Sequence, residues 1–364
     1  MVTLRLEHLT KKYNKVAVVD DVSLTVNDGE YVVIAGPTGA GKTTTLKMIA
    51  GLITPDAGHI YFDDEDVTDI PPEDRNVGLL FEEYALFPHM TVLENVLYSP
   101  YVKDKLNEEA KFAAMDILRM VLLDDRADAY PRHLSGGMQQ RTALARTLMA
   151  GAQILLLDQP LRALDARIRQ SLRKELKRLS KTMKLTALHL TNSTQEALII
   201  ADRVAVMRRG RILQIGTPME VYNKPKTPFV AYFMGDTEFF EGEPLEKHDG
   251  EIIFDIEGEK IAIDYEQDIP RGKLLLGIRP EYIYLSEKKI DNAVSGTITE
   301  AKFLGDTVYY ELELNSGRIL EVLEPGKTEK LHDIGEKIYA NLDRKRFFVF
   351  QYPKEGLKDA LSLT

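Results

Sequence analysis

Tyr31-Val32-Val33-Ile34-Ala35-Gly36-Pro37-Thr38-Gly39-Ala40-Gly41-Lys42-Thr43-Thr44 decides how the chain folds. A short apolar run ends at a glycine-rich turn, and a helix-compatible segment to Ala50 follows, which is the order buried strand, loop, helix. Gly36-x4-Gly41-Lys42-Thr43 has the P-loop form. Its glycines let backbone N–H groups face phosphate oxygens at a helix N-terminus. Lys42 is placed to reach the β- and γ-phosphates, and the Thr43 hydroxyl to ligate Mg²⁺.

Downstream, Ile154-Leu-Leu-Leu-Asp158 reads as a second buried strand with an acidic residue at its end, placed to hold the same Mg²⁺. Thr186–Leu190 and Arg203–Met207 read as further strands. Strands alternating with helices predict an α/β fold with a mostly parallel sheet covered on both faces. Leu4, Leu6 and Leu9 begin an alternating segment that Val22–Val26 continues, read as edge β-structure. Asn107–Leu123 reads as a helix in a helical insertion, placed at about 85–155 between the motif-bearing strands. Composition changes near Gly235-Asp236. Beyond it, Ile252–Ile256, Leu274–Ile278 and Val308–Leu314 are short alternating segments, predicting a small β-barrel or sandwich over 236–364 after a first domain over 1–235.

The chain has 364 residues, 44% hydrophobic and 29% charged, which fits two globular domains. No run of about 20 apolar residues suggests a membrane helix, and no secretory leader is apparent. With no cysteine, disulfides and thiolate metal sites are excluded. The formal charge of −10 disfavours nucleic-acid binding. The densest basic run, Arg173 to Arg178, carries leucines at helical spacing and reads as a solvated helix face.

The stretch Leu134-Ser135-Gly136-Gly137-Met138-Gln139-Gln140-Arg141, taken with the P-loop, resembles the ATP-binding cassette (ABC) family, with Met138 where the family has Gln. The resemblance covers the first two-thirds of the chain. It implies that Gly36, Pro37, Thr38, Gly39, Ala40, Gly41, Lys42, Thr43 and Thr44 hold ATP. It also implies that Ser135, Gly136, Gly137 and Met138 cap a nucleotide held by an opposing subunit. A second anion cradle at a helix start makes sense if the two meet across an interface. Tyr13 matches the aromatic that stacks on adenine. Phe81-Glu82-Glu83-Tyr84 matches the Q-loop, Leu164-Asp165 the end of the D-loop, and Thr191-Asn192 the switch position.

The resemblance is to importer ATPases of the maltose, sugar and polyamine type, through Asp74–Gly78, Ala85–His89, Gly210–Pro218 and Gly277-Ile-Arg-Pro-Glu281. The last of these is similar to a TOBE-type, OB-like regulatory domain. The partners so implied are a second ABC ATPase, two transmembrane permease subunits and an extracytoplasmic solute-binding protein, with this chain peripheral on the cytoplasmic face of the membrane.

Four departures from the family cluster on the hydrolytic side. Gln159 replaces the Glu that activates water, and Asn192 the switch His. Glu82 replaces the Q-loop Gln, and Arg162 the D-loop Ser. Gln159 can orient water but not take its proton, and Asn192 carries no charge to the γ-phosphate. One engineered Glu→Gln exchange would account for Gln159 alone. Gln159, Asn192 and Glu82 are the expected catalytic positions, and Thr43, Glu82 and Asp158 the expected metal positions, with Glu82 either a Mg²⁺ ligand or a substitute base. A kept signature beside an altered Walker face predicts a heterodimer in which this chain helps a competent partner hydrolyse ATP. A low-turnover homodimer and a regulatory ATP-binding module remain the alternatives.

Overall fold

The decisive segment folds as a strand, a turn and a helix because every residue of Tyr31–Ala35 is buried and Gly41 opens the helix in the left-handed region. The computed structural model describes residues 2–248, 250–265, 272–326 and 331–363. The chain divides into two compact units, Met1–Val221 with Leu363–Thr364, and Tyr222–Ser362.

The first unit opens with β1 (Leu4–Tyr13) and β2 (Val16–Val26), followed by β3 (Tyr31–Ala35), α1 (Lys42–Ile49), β4 (Ala57–Phe62) and β5 (Glu65–Asp66). One antiparallel sheet has the order β2-β1-β4-β5, so β1 is hydrogen-bonded on both sides. The edge placement read from sequence is thereby corrected for β1, while β2 stands at the edge of this sheet: the β4 partner of β1 lies about fifty residues downstream and leaves no local signal. β6 (Val77–Leu80) leads to α2 (Val92–Val102), α3 (Glu108–Met120) and α4 (Gly136–Met149), which pack on one another before β7 (Ile154–Asp158). α5 (Ala166–Met183), β8 (Thr186–Thr191), α6 (Thr194–Ile200), β9 (Arg203–Arg208) and β10 (Arg211–Gly216) complete the second sheet.

Its order is β10-β9-β3-β8-β7-β6, parallel throughout except for β10 against β9. β3, β7 and β8 are buried along their whole length, as strands covered on both faces must be. In β-strand register Ala35 pairs with Thr191 and Asp158 with Leu190, so the ends of β3, β7 and β8 lie side by side. Those ends carry Gly36, Gln159 and Asn192, and ligand sites of open parallel sheets lie outside such strand ends.

α7 (Pro218–Asn223) runs across the divide, and α8 (Pro228–Met234) belongs to the second unit. There β11 (Glu238–Gly242), β12 (Glu246–His248), β13 (Glu251–Ile256), β14 (Glu259–Asp264) and β15 (Leu274–Ile278) come first. β16 (Ile283–Ser286), β17 (Ala293–Phe303), β18 (Thr307–Leu314), β19 (Ile319–Pro325), β20 (Lys337–Leu342), β21 (Phe348–Gln351) and α9 (Leu357–Leu361) follow. The sheet β16-β20-β17-β18-β19 is antiparallel and curls until its end strands β16 and β19 pack together, an OB-like arrangement around Val294, Tyr310, Leu312 and Val322.

Within this unit Arg279 is fully buried and donates to the carbonyls of Tyr222, Ala231 and Asp236 and to the Thr237 hydroxyl. Its guanidinium also lies 3.8 Å from the Tyr222 ring centre. The Gly277–Glu281 stretch therefore ties α8 and the chain leading into it to the β-domain.

A comparable device holds α1. Arg75 is buried and donates to the carbonyls of Met48 and Ile49 at the end of α1, and to those of Thr68 and Ile70. It answers the orphan carbonyls of a helix C-terminus with positive charge. The Met48 carbonyl also accepts from the Gly51 N–H at 3.0 Å, but Arg75→Ala removes the guanidinium from the Ile49, Thr68 and Ile70 carbonyls, and a loss of about 3 kcal/mol in urea unfolding is expected. A loss under about 1 kcal/mol would show that water replaces the guanidinium.

Candidate nucleotide site

The loop after β3 is held by close approaches that no side chain tolerates. A Cβ on Gly36 would lie 2.2 Å from the Met207 carbonyl oxygen, and one on Gly41 (φ +101°) 2.4 Å from that of Val18. Lys42, buried, donates to the carbonyls of Gly36 at 2.8 Å and Pro37 at 2.7 Å. Burial brings its pKa down to about 8, against the pull of the nearby Asp158 carboxylate. The first N–H groups of α1 have no acceptor within the helix and face the loop's concave side.

Thr43 donates its hydroxyl to Asp158 Oδ2 at 2.9 Å. Asp158 is buried and its other oxygen, Oδ1, has no hydrogen-bond partner. Burial raises its pKa, opposed by the Thr43 hydrogen bond and the Lys42 charge. A buried carboxylate oxygen without a donor, next to a hydroxyl, fits a hard cation with oxygen ligands such as Mg²⁺. Among the described residues no cluster of three or more His, Cys, Asp or Glu could hold a metal by itself. Phosphate oxygens and water would complete the shell, as Mg²⁺ prefers.

A cavity of about 220 Å³ is lined by Val18, Thr38 to Thr44, Glu82, Gln159, Arg162 and Asn192. The sheet thus gathers the altered positions 82, 159, 162 and 192 around the phosphate loop. Asn192 donates to Thr38 Oγ1 at 3.2 Å and to Gln159 Oε1 at 3.5 Å. Glu82 forms an ion pair with Arg162. On its other side Glu82 lines an adjoining cavity with Thr43, Lys47, Phe81 and Asp158. Gly36 and Pro37 lie beneath the pocket and act through the carbonyls that hold Lys42.

Gln159 sits at φ +49°, a left-handed conformation that costs a non-glycine residue about 1–2 kcal/mol. Its N–H reaches the Leu190 carbonyl at 2.9 Å and its own carbonyl accepts from Gln140 Nε2 at 2.9 Å. Gln140 Oε1 also takes the N–H of Ala163 at 3.0 Å. The turn at Tyr84 (φ +59°) and Ala85 (φ +45°) is held likewise, with Arg146 donating to both carbonyls at 3.2 and 2.9 Å. Gln140 and Arg146 both come from α4.

At the start of α4, the Ser135 hydroxyl caps the helix by accepting from Met138 N–H at 3.3 Å. The space where a Cβ on Gly136 would stand is open, while one on Gly137 would meet the Ala163 carbonyl at 3.2 Å. Neither Ser135, Gly136, Gly137 and Met138 nor Tyr13 lines the P-loop cavity. Tyr13 ends β1 opposite Val16, with 44% of its surface exposed. Val18 and Arg146 do not figure in the sequence reading, and Gln140 figures there only within the signature stretch. Val18 contributes a carbonyl against Gly41 and lines the cavity, and the other two are amphipathic residues on a helix whose face only the fold reveals.

Residues 19–162 match the ABC transporter family and residues 276–350 the TOBE domain family. The spermidine/putrescine import ATP-binding protein PotA of Vibrio cholerae is 39% identical over 342 residues, 92% of this chain and 91% of that one. The Fe(3+) ions import ATP-binding protein FbpC of Fusobacterium nucleatum is 33% identical over 356 residues, 96% and 93% of the two chains. Among solved structures, the dimeric bacterial ABC transporter cassette MJ0796 is similar at 30% identity with a TM-score of 0.54, covering 59% of this chain and 98% of that one. A post-hydrolysis form of the same cassette, dimeric and bound to ADP and Pi, matches equally. With a phosphate loop, an acidic strand end and end-to-end similarity to such subunits, the chain belongs to the ATP-binding subunits of ABC importers.

Proposed function

We propose that this chain couples ATP binding to solute uptake as the hydrolytically weak half of a heterodimer, bound to permease subunits on the cytoplasmic face of the membrane. The observation that carries this is the Asn192–Gln159 contact: two amides face each other at 3.5 Å beside the phosphate loop. Neither amide accepts a proton near neutral pH or brings charge to a phosphate. Mg²⁺, when bound at Thr43 and Asp158, would neutralise phosphate charge. Lys42 and the loop N–H groups hold the phosphates, and Gln159 positions water without deprotonating it.

The signature supports the other half of the reading. Ser135 and Gly136 keep an open helix N-terminus away from this chain's own cavity, available to a nucleotide held by a second ATPase. Among the solute classes read from sequence, the relatives favour polyamines, since PotA matches along nearly the whole chain. The FbpC relative makes a metal cation the second solute reading.

Two measurements test these statements. Restoring Gln159→Glu together with Asn192→His should raise ATP turnover at this chain's site by about 100-fold or more in the assembled complex with the partner's own site inactivated, the scale of a general base. An unchanged rate would sink the assignment of these two positions. Gly136→Asp meets no steric obstacle, so the chain should fold and bind nucleotide normally. The added carboxylate should abolish turnover of the assembled complex, and full activity there would overturn the signature role. Uptake of labelled putrescine and of ferric iron by the complex in vesicles distinguishes the two solutes.

A further inference from the structure

The Glu82–Arg162 ion pair has no counterpart in the pattern the chain resembles, where both positions are uncharged. Here two departures eighty residues apart carry opposite charges and meet at the mouth of the phosphate cavity. Their backbones are fixed. Glu82 precedes the turn held by Arg146, and Arg162 lies between Gln159, whose carbonyl takes its N–H at 3.3 Å, and Ala163, held by Gln140. The side chains are the movable parts, with Arg162 63% and Glu82 41% exposed.

Arg162 and Lys42 are the cations of the cavity lining. Lys42 holds its place at the loop by donating to the Gly36 and Pro37 carbonyls, and the switch position offers only the neutral Asn192. An exposed ion pair contributes little to stability, so little opposes its exchange. A terminal phosphate carries more charge than one carboxylate and accepts guanidinium in the same forked geometry. Glu82 has somewhere else to turn, because it also faces Thr43 and Asp158 in the adjoining cavity.

We propose that Arg162 is a phosphate-binding residue acting within its own subunit: a magnesium nucleoside triphosphate opens the Glu82–Arg162 pair, the guanidinium passes to the terminal phosphate, and Glu82 turns toward the metal side. The inference rests on the reading of the cavity as a nucleotide site and adds a positive charge where Asn192 supplies none. Arg162 then distinguishes triphosphate from diphosphate.

The experiment compares dissociation constants for ADP and for the β,γ-imido analogue of ATP, both with Mg²⁺, by calorimetry on the full chain. Removing Arg162 alone would leave Glu82 to repel the triphosphate, so the decisive comparison is Glu82→Gln against Glu82→Gln/Arg162→Ser. With Glu82 neutral in both, loss of Arg162 should weaken the triphosphate analogue by about tenfold or more, the scale of a charge-assisted hydrogen bond, and leave ADP unchanged. Arg162→Lys in the same background should retain part of the preference. Equal triphosphate-to-diphosphate ratios in the two proteins would show that Arg162 only neutralises Glu82, overturning the proposal. ADP binding in every variant reports that the site is folded. Failure of the unsubstituted chain to bind either nucleotide would instead remove the nucleotide-site reading itself.

Discussion

Two carbonyl oxygens, those of Met207 and Val18, press on the phosphate loop so closely that positions 36 and 41 admit no side chain. The loop's curvature is therefore imposed from outside by β9 and by the β1–β2 hairpin arm. Once the curvature is set, Lys42 folds back onto Gly36 and Pro37, Thr43 falls against Asp158, and α1 points its N-terminus at the concave side. Arg75 closes the other end of the same helix, so α1 is defined at both termini by groups outside it.

α4 plays an equivalent part for the loops on the other side of the cavity. Gln140 holds the left-handed Gln159 and the segment after Arg162, Arg146 holds the strained turn after Glu82, and Arg141 donates to the Val121 and Leu122 carbonyls at 2.8 Å. Ser135 caps the helix at the end that carries the signature. One element thus supports both loops that line the phosphate cavity and carries the Ser-Gly-Gly turn at its own N-terminus. A displacement of α4 along its axis would be felt at Glu82, Gln159 and Arg162 together, because packed helices move as units.

The parts legible in sequence were those whose physics is local. The strand–glycine loop–helix order, the acidic strand end and the Ser-Gly-Gly helix start each follow from a few adjacent residues. β1 could not be placed at the centre of its sheet, since its partner β4 is remote and alternation looks the same on an edge or in the middle. The meeting of Glu82 with Arg162 was likewise hidden: sequence groups them with the other departures on the hydrolytic side, but only the parallel order β6-β7 brings their loops into contact. Val18 contributes a carbonyl, which every residue possesses, so no sequence signal marks it.

The buried Arg279 has a consequence for the second unit. Its charge is answered by three backbone carbonyls, a hydroxyl and an aromatic face, with no carboxylate among its hydrogen-bond acceptors. Carbonyl dipoles do not titrate, and an exposed salt has little access to a buried guanidinium. The fastening of α8 to the β-domain therefore rests mainly on fixed dipoles, with the nearby charges of Glu281 and Asp236 adding support and the Tyr222 hydroxyl donating to Glu281.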